Sequence, residues 1–149
     1  MAPSPNAITI EGLTEAIALI DSATKISDFR ERKAAIQQIL VADVDERFNS
    51  APRVRAGGVV YGGVNWPALT DPYLKANPRR EGGQVLRDTG ELQQSFTGDG
   101  QIYNVGKNEI EFGTALPKAR GLQRKRPMIF IHDELLEEVE ATLLIALDE

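Results

Sequence analysis

The spacing of apolar residues changes along this chain, and that change limits what it can fold into more than any other feature. Ile10, Leu13, Ile17 and Ile20 recur every three or four residues, which predicts a short amphipathic helix over 10–20. Residues 22–27 read as a linker. Phe29, Ile36, Leu40, Val44 and Phe48 then form the seam of a second helix. Ser27 or Asp28 can cap it, with Glu31 near the third helical position, and Ser50-Ala51-Pro52 ends it.

Past Pro52 the helical period is lost. Glycines at 57, 58, 62 and 63 flank Val59, Val60, Tyr61 and Val64, a pattern that allows short extended segments or a flexible arm. Residues 70–83, with Pro72, Pro78 and Gly82-Gly83, read as an exposed excursion, and both it and the arm from Gly57 to Asn65 are expected to be mobile in the free subunit and ordered by a neighbour. Strands are predicted over 94–97, 101–105 and 109–113, with turn chemistry at Asp99-Gly100 and Lys107-Asn108. Residues 116–126 read as a basic loop, and 128–131 as a fourth strand or its approach. Leu135, Leu136, Val139, Leu143 and Leu147 then stripe a terminal helix. Asp133, Glu134, Glu137 and Glu138 occupy its first turns, opposing the positive end of the helix dipole.

Strand and helix do not alternate, so the expected class is α+β: an antiparallel sheet of about four strands packed with N-terminal helices and a C-terminal helix. One domain is expected across 1–149: a helical part (1–50), an extended arm or loop (57–83), a β-meander (84–131) and a terminal helix (132–149). At 149 residues, 42% hydrophobic and 26% charged, the chain can bury a modest core. No apolar run approaches the roughly 18 residues that cross a bilayer, and no secretory leader is visible at the start. The expectation is a protein assembled in the cytoplasm without a membrane partner.

The net charge of −5 is unevenly spread. Residues 1–50 hold five Lys/Arg against eight Asp/Glu, residues 51–126 twelve against seven, and residues 127–149 none against seven. A basic middle and an acidic end let like subunits meet through complementary fields.

Suitable catalytic groups are scarce. The chain has no cysteine and a single histidine, His132, which excludes thiol chemistry and thiolate zinc sites. No serine sits in a Gly-x-Ser-x-Gly elbow, and the glycines at 57–63 match neither nucleotide fingerprint. Glu109 and Glu111 share a strand face, but without histidine partners or a calcium-loop pattern they read as a charged surface. No catalytic residue, cofactor or metal is expected. Lys118, Arg120, Arg124, Lys125 and Arg126 form a basic run that could grip phosphates. No aromatic residue interleaves it for base stacking, so a protein contact is preferred, the mate being an acidic helix face carrying Glu134, Glu137 and Glu138. Tyr61 and Trp66 are further candidate interface residues.

The order of residues resembles the phage virion morphogenesis, or tail completion, family. The resemblance rests on Phe48 and Pro52, then Trp66-Pro67-Ala68-Leu69-Thr70. Leu86-Arg87-Asp88-Thr89-Gly90-Glu91-Leu92 follows with Ser95, then Val105-Gly106, Phe112-Gly113-Thr114 and Arg126-Pro127-Met128-Ile129-Phe130. It covers about two thirds of the chain. Such a resemblance implies a twisted antiparallel sheet packed with helices and a virion protein of the tail terminator or neck. That protein would form a hexameric ring touching the tail tube, sheath and connector proteins, with DNA passing through unread. A connector adaptor or stopper is the alternative within the same class, and a DNA-binding accessory protein the alternative outside it. Members commonly carry a Tyr-Ala and a His-Gln-x-Gly-like stretch where this chain has residues 115–123, so the partner-facing loop is expected to be specialised.

Overall fold

A computed structural model describes residues 8–9, 29–106 and 109–148, without the side chains of 8–9 and 144–148. The helix expected over 10–20, the linker, the caps at Ser27 or Asp28 and the turn residues Lys107 and Asn108 lie outside the described residues.

The chain mixes helices with small antiparallel sheets. β1 (Ile8–Thr9) is the first described element. A 3-10 turn at Phe29–Arg32 then leads into α1 (Lys33–Asn49), whose sequence contains neither glycine nor proline. The seam read from the spacing is the buried one: Phe29, Ile36, Leu40, Val44 and Phe48 are each at most 1% exposed. Each such side chain taken from water contributes about 1.5–3 kcal/mol. The Ser50 N–H closes the helix by donating to the carbonyls of Glu46 and Arg47 at 3.0 and 3.2 Å.

The glycine-flanked segment folds back on its own chain. β2 (Gly58–Val59) pairs antiparallel with β3 (Asn65–Trp66), and the Val60 N–H donates to the Val64 carbonyl at 2.8 Å. Gly62, at φ 97°, sits where any Cβ would meet the Phe130 ring at 2.6 Å and the Arg47 guanidinium at 3.0 Å. Only glycine lets the turn close over those two groups.

The excursion at 70–83 is anchored. Thr70 Oγ1 accepts from the Tyr73 N–H at 3.4 Å and caps α2 (Asp71–Ala76). Leu74 is 1% exposed. At one end the Leu69 N–H donates to the Val54 carbonyl at 2.7 Å, and at the other the Val54 N–H donates to the Gly83 carbonyl at 3.0 Å and the Val85 N–H to the Pro52 carbonyl at 2.8 Å, so both ends of the excursion are held to the segment after α1.

Two of the four expected strands form. β4 (Gln101–Val105) and β5 (Ile110–Thr114) pair antiparallel with Tyr103 opposite Phe112, and β1 adds to the other edge of β5 in the order β1-β5-β4. Residues 94–97 are a correction: the chain there is the end of α3 (Glu91–Gln94) and the turn after it. Leu92 and Phe96 are buried four residues apart, a helical spacing that the intervening Ser95 conceals. Asp99-Gly100 accordingly joins a helix to a strand and is not a hairpin turn.

Residues 128–131 form no ladder, because side chains satisfy their backbone. Gln123 Oε1 accepts from the Met128 N–H at 2.8 Å and its amide donates to the Ile129 carbonyl at 2.6 Å, while Arg47 Nη1 donates to the Met128 carbonyl at 2.7 Å. The expected basic loop is largely a helix, α4 (Ala119–Lys125), with Ala119 buried beneath it. α5 (Asp133–Asp148) follows as expected, burying Leu135, Val139 and Leu143. It packs chiefly against α1. One apolar cluster links α1, the β2–β3 hairpin, α3, both long strands and α5.

Candidate interaction groove

Three segments wall a cavity of about 540 Å³: the chain from Leu69 through α2, the loop 86–92, and α4. Leu69, Leu86, Leu92 and Leu122 supply its apolar lining, and Tyr73 stands at the rim, 42% exposed. The loop takes this shape through two left-handed residues. Gly90 lies at φ 85° and turns the chain into α3, where the Glu91 N–H donates to Thr89 Oγ1 at 3.3 Å. Leu86 also has a left-handed φ of 63°, a conformation that costs a non-glycine residue about 1–3 kcal/mol and is held only where the surroundings enforce it.

The charges of the groove divide into spent and unspent. Arg126 is buried; its Nε and Nη2 donate to the Pro67 carbonyl at 3.0 and 2.9 Å, and Nη2 also reaches the Ala68 carbonyl at 3.1 Å. Burial holds its guanidinium below the usual arginine range. Arg80, also buried, donates to the Gln84 carbonyl at 3.1 Å. The two lining carboxylates are neutralised in place, Asp88 by Arg79 and Glu91 by Lys118 at 2.9 Å. Lys125 lines the groove without an ion-pair partner among the described residues, and Arg124 is exposed beside it.

A second polar cluster lies where α1 meets the start of α5. Arg47, 0% exposed, donates from Nε to the Tyr61 carbonyl at 2.9 Å and from Nη2 to Asp43 Oδ2 at 2.9 Å, with its guanidinium 4.1 Å from the Phe130 ring centroid. Burial pulls the arginine below its usual range and Asp43 opposes the shift. His132 Nε2 lies 2.5 Å from the other Asp43 oxygen, and the Tyr61 ring meets the imidazole edge-on. Burial, with the hydrogen bond to Glu134, pushes the Tyr61 phenol well above its usual range. The histidine is thus engaged by a carboxylate that already carries an arginine.

No protein-family model, curated protein or solved structure matches this chain.

The candidate residues separate accordingly. Trp66 is 0% exposed, with Nε1 donating to the Pro127 carbonyl at 2.9 Å and Phe48 packed edge-on at 5.4 Å. It is a core anchor, which corrects its reading as an interface residue. Arg126 is corrected likewise, because its donors are consumed by backbone. Lys118 and Lys125 line the groove; Arg120, Arg124 and Lys125 are exposed on α4, and Glu137 and Glu138 are exposed on α5. Tyr61 and Glu134 pair with each other in the second cluster. Sequence reading passed over Asp43, Arg47 and Arg80. The first two lie at i and i+4 within the seam of Leu40, Val44 and Phe48, and a charged pair on an apolar face is the signal that could have found them.

Proposed function

We propose that this chain is a structural virion protein of a tailed bacteriophage, a tail terminator or tail completion subunit. In this reading it forms a ring at the junction of tail and neck, hexameric as in the family it resembles. The ring caps the tail tube, touches sheath and connector proteins, and lets DNA pass without reading it.

The observation that carries the proposal is how the family-like residues meet. Segments far apart in sequence interlock through bonds that side chains make to backbone and to one another. Trp66 reaches Pro127, Arg126 reaches Pro67 and Ala68, and Thr114 Oγ1 donates to Ser95 Oγ at 2.8 Å. The motif residues therefore have a framework role, with Phe48 packed beneath Trp66. In this reading the twisted sheet of about four strands is represented by β4 and β5 with β1 at the edge. A basic α4 and an acidic α5 on one chain also suit a head-to-tail contact, the kind repeated until a ring closes.

Native mass spectrometry of the purified chain, with electron microscopy of particles carrying a labelled copy, tests the proposal. A closed ring located at the tail end supports it; a strictly monomeric chain absent from particles overturns it. A location on the portal side would favour a connector adaptor or stopper. The exposed Arg124 and Lys125 favour, as a second reading, a DNA-binding accessory protein, whose mark would be DNA affinity falling steeply with salt.

A further inference from the structure

We infer that the groove between α2, the loop 86–92 and α4 is the socket for a second copy of this chain, entered by the acidic face of that copy's α5. The inference rests on the ring reading and names the contact that would build it.

Charge complementarity selects the occupant. The carboxylates inside the groove are already matched by Arg79 and Lys118, so the positive charge left at its edge is that of Lys125, with Arg124 beside it. On α5, Glu137 and Glu138 are exposed and pair with no cation among the described residues. Among the described residues there are therefore a basic edge and an acidic face, on different elements, that no ion pair matches. The apolar lining argues against a nucleic acid. Leucines at 69, 86, 92 and 122 outnumber the single aromatic ring of the lining, Tyr73 at the rim, and the deep guanidinium groups of Arg80 and Arg126 are turned to backbone carbonyls. A protein surface with carboxylates around a less polar centre fits both the lining and the rim. The left-handed Leu86 fits a loop held in a costly shape for recognition.

A contact of this kind joins unlike faces, so each copy offers one socket and one plug. The test uses the full chain and two double variants, Arg124→Glu/Lys125→Glu and Glu137→Lys/Glu138→Lys, all at exposed positions, with thermal unfolding to check that each folds. Each variant alone presents like charges across the contact and is expected to associate at least about tenfold more weakly than the unaltered chain. Mixed together they are expected to associate again, because both the native and the inverted charge pairs then form. Gly121→Trp supplies an independent arm. A Cβ at 121 meets nothing within 4 Å among the described residues, and Gly121 lines the groove, so the variant is expected to fold and still block association.

Oligomers unaltered by all three variants would overturn the socket while leaving the ring reading intact. An equimolar mixture that stays dissociated would overturn it too. So would duplex DNA that binds the unaltered chain, competes with association and is lost in Arg124→Glu/Lys125→Glu. Association that follows the expected pattern in a protein missing from particles would keep the socket and remove the phage reading.

Discussion

Trp66 donates through Nε1 to the Pro127 carbonyl at 2.9 Å, tying the β2–β3 hairpin to the segment that leads into α5. The ring is fully buried against Phe48, so the bond and the packing act on the same side chain. Trp66→Ala is expected to cost about 3–5 kcal/mol, the range for deleting a large buried aromatic. Trp66→Phe keeps most of the packing but leaves the Pro127 carbonyl unpaired, at about 1–3 kcal/mol. Urea unfolding of the two variants measures both; a loss below about 0.5 kcal/mol in Trp66→Ala would contradict the core assignment.

Arg47 and Asp43 are expected to behave as one unit. Arg47→Met keeps much of the volume but strips the Tyr61 and Met128 carbonyls of a donor and leaves Asp43 with His132 alone. Breaking one half of a buried pair costs about 3–5 kcal/mol. Adding Asp43→Asn to Arg47→Met should cost less than the sum of the single effects, and a double-mutant cycle reads that difference directly.

Ser95 sits at a junction of two bonds. Its Oγ donates to the Leu92 carbonyl at 2.6 Å, ending α3, and accepts from Thr114 Oγ1 at 2.8 Å, fixing β5 beside it. Both hydroxyls are buried, so Ser95→Ala should destabilise by about 1–3 kcal/mol. Valine at 114, which removes the other hydroxyl, should then be less harmful in the Ser95→Ala background than alone. Additive losses would argue against the shared bond.

Alkaline pH offers a separate check. The Tyr103 hydroxyl donates to the Lys33 carbonyl at 2.5 Å, and burial pushes its phenol up to about 12 against a smaller opposing pull from the Gln37 backbone. The folded value lies above the ordinary one of about 10. Its contribution to stability is therefore complete below pH 10 and is lost as pH rises through 12. Unfolding followed between those limits should be less pH-dependent in Tyr103→Phe; an unchanged slope would count against the half-buried phenol.

What could be read in the sequence depended on whether local pattern and tertiary context agreed. The seam of α1 and the stripe of α5 each carry an unbroken helical period, the β4–β5 pair is bounded by turn residues, and those elements stand where the pattern put them. Residues 94–97 misled because Phe96 and Thr97 favour strands, while burial of Leu92 with Phe96 selected a helical turn. α4 was hidden by Gly121 and by cations that look like a loop's, and its only apolar side chains turned inward are those of Ala119 and Leu122. The groove could not be read at all, since Leu69, Leu86 and Leu122 meet only through the fold. Half of its rim was nonetheless visible as the basic run from Lys118 to Arg126.

The Arg47 guanidinium also limits how copies of this chain can trade parts. A neighbour that borrowed α5 would have to withdraw the Met128 carbonyl and the His132 ring from α1. Until the other copy's helix replaced it, Arg47 and Asp43 would keep each other but lose those partners. The opening step of any exchange of terminal helices is thereby penalised. In the ring proposed above, copies would then meet as finished bodies, and assembly would not wait for any of them to open.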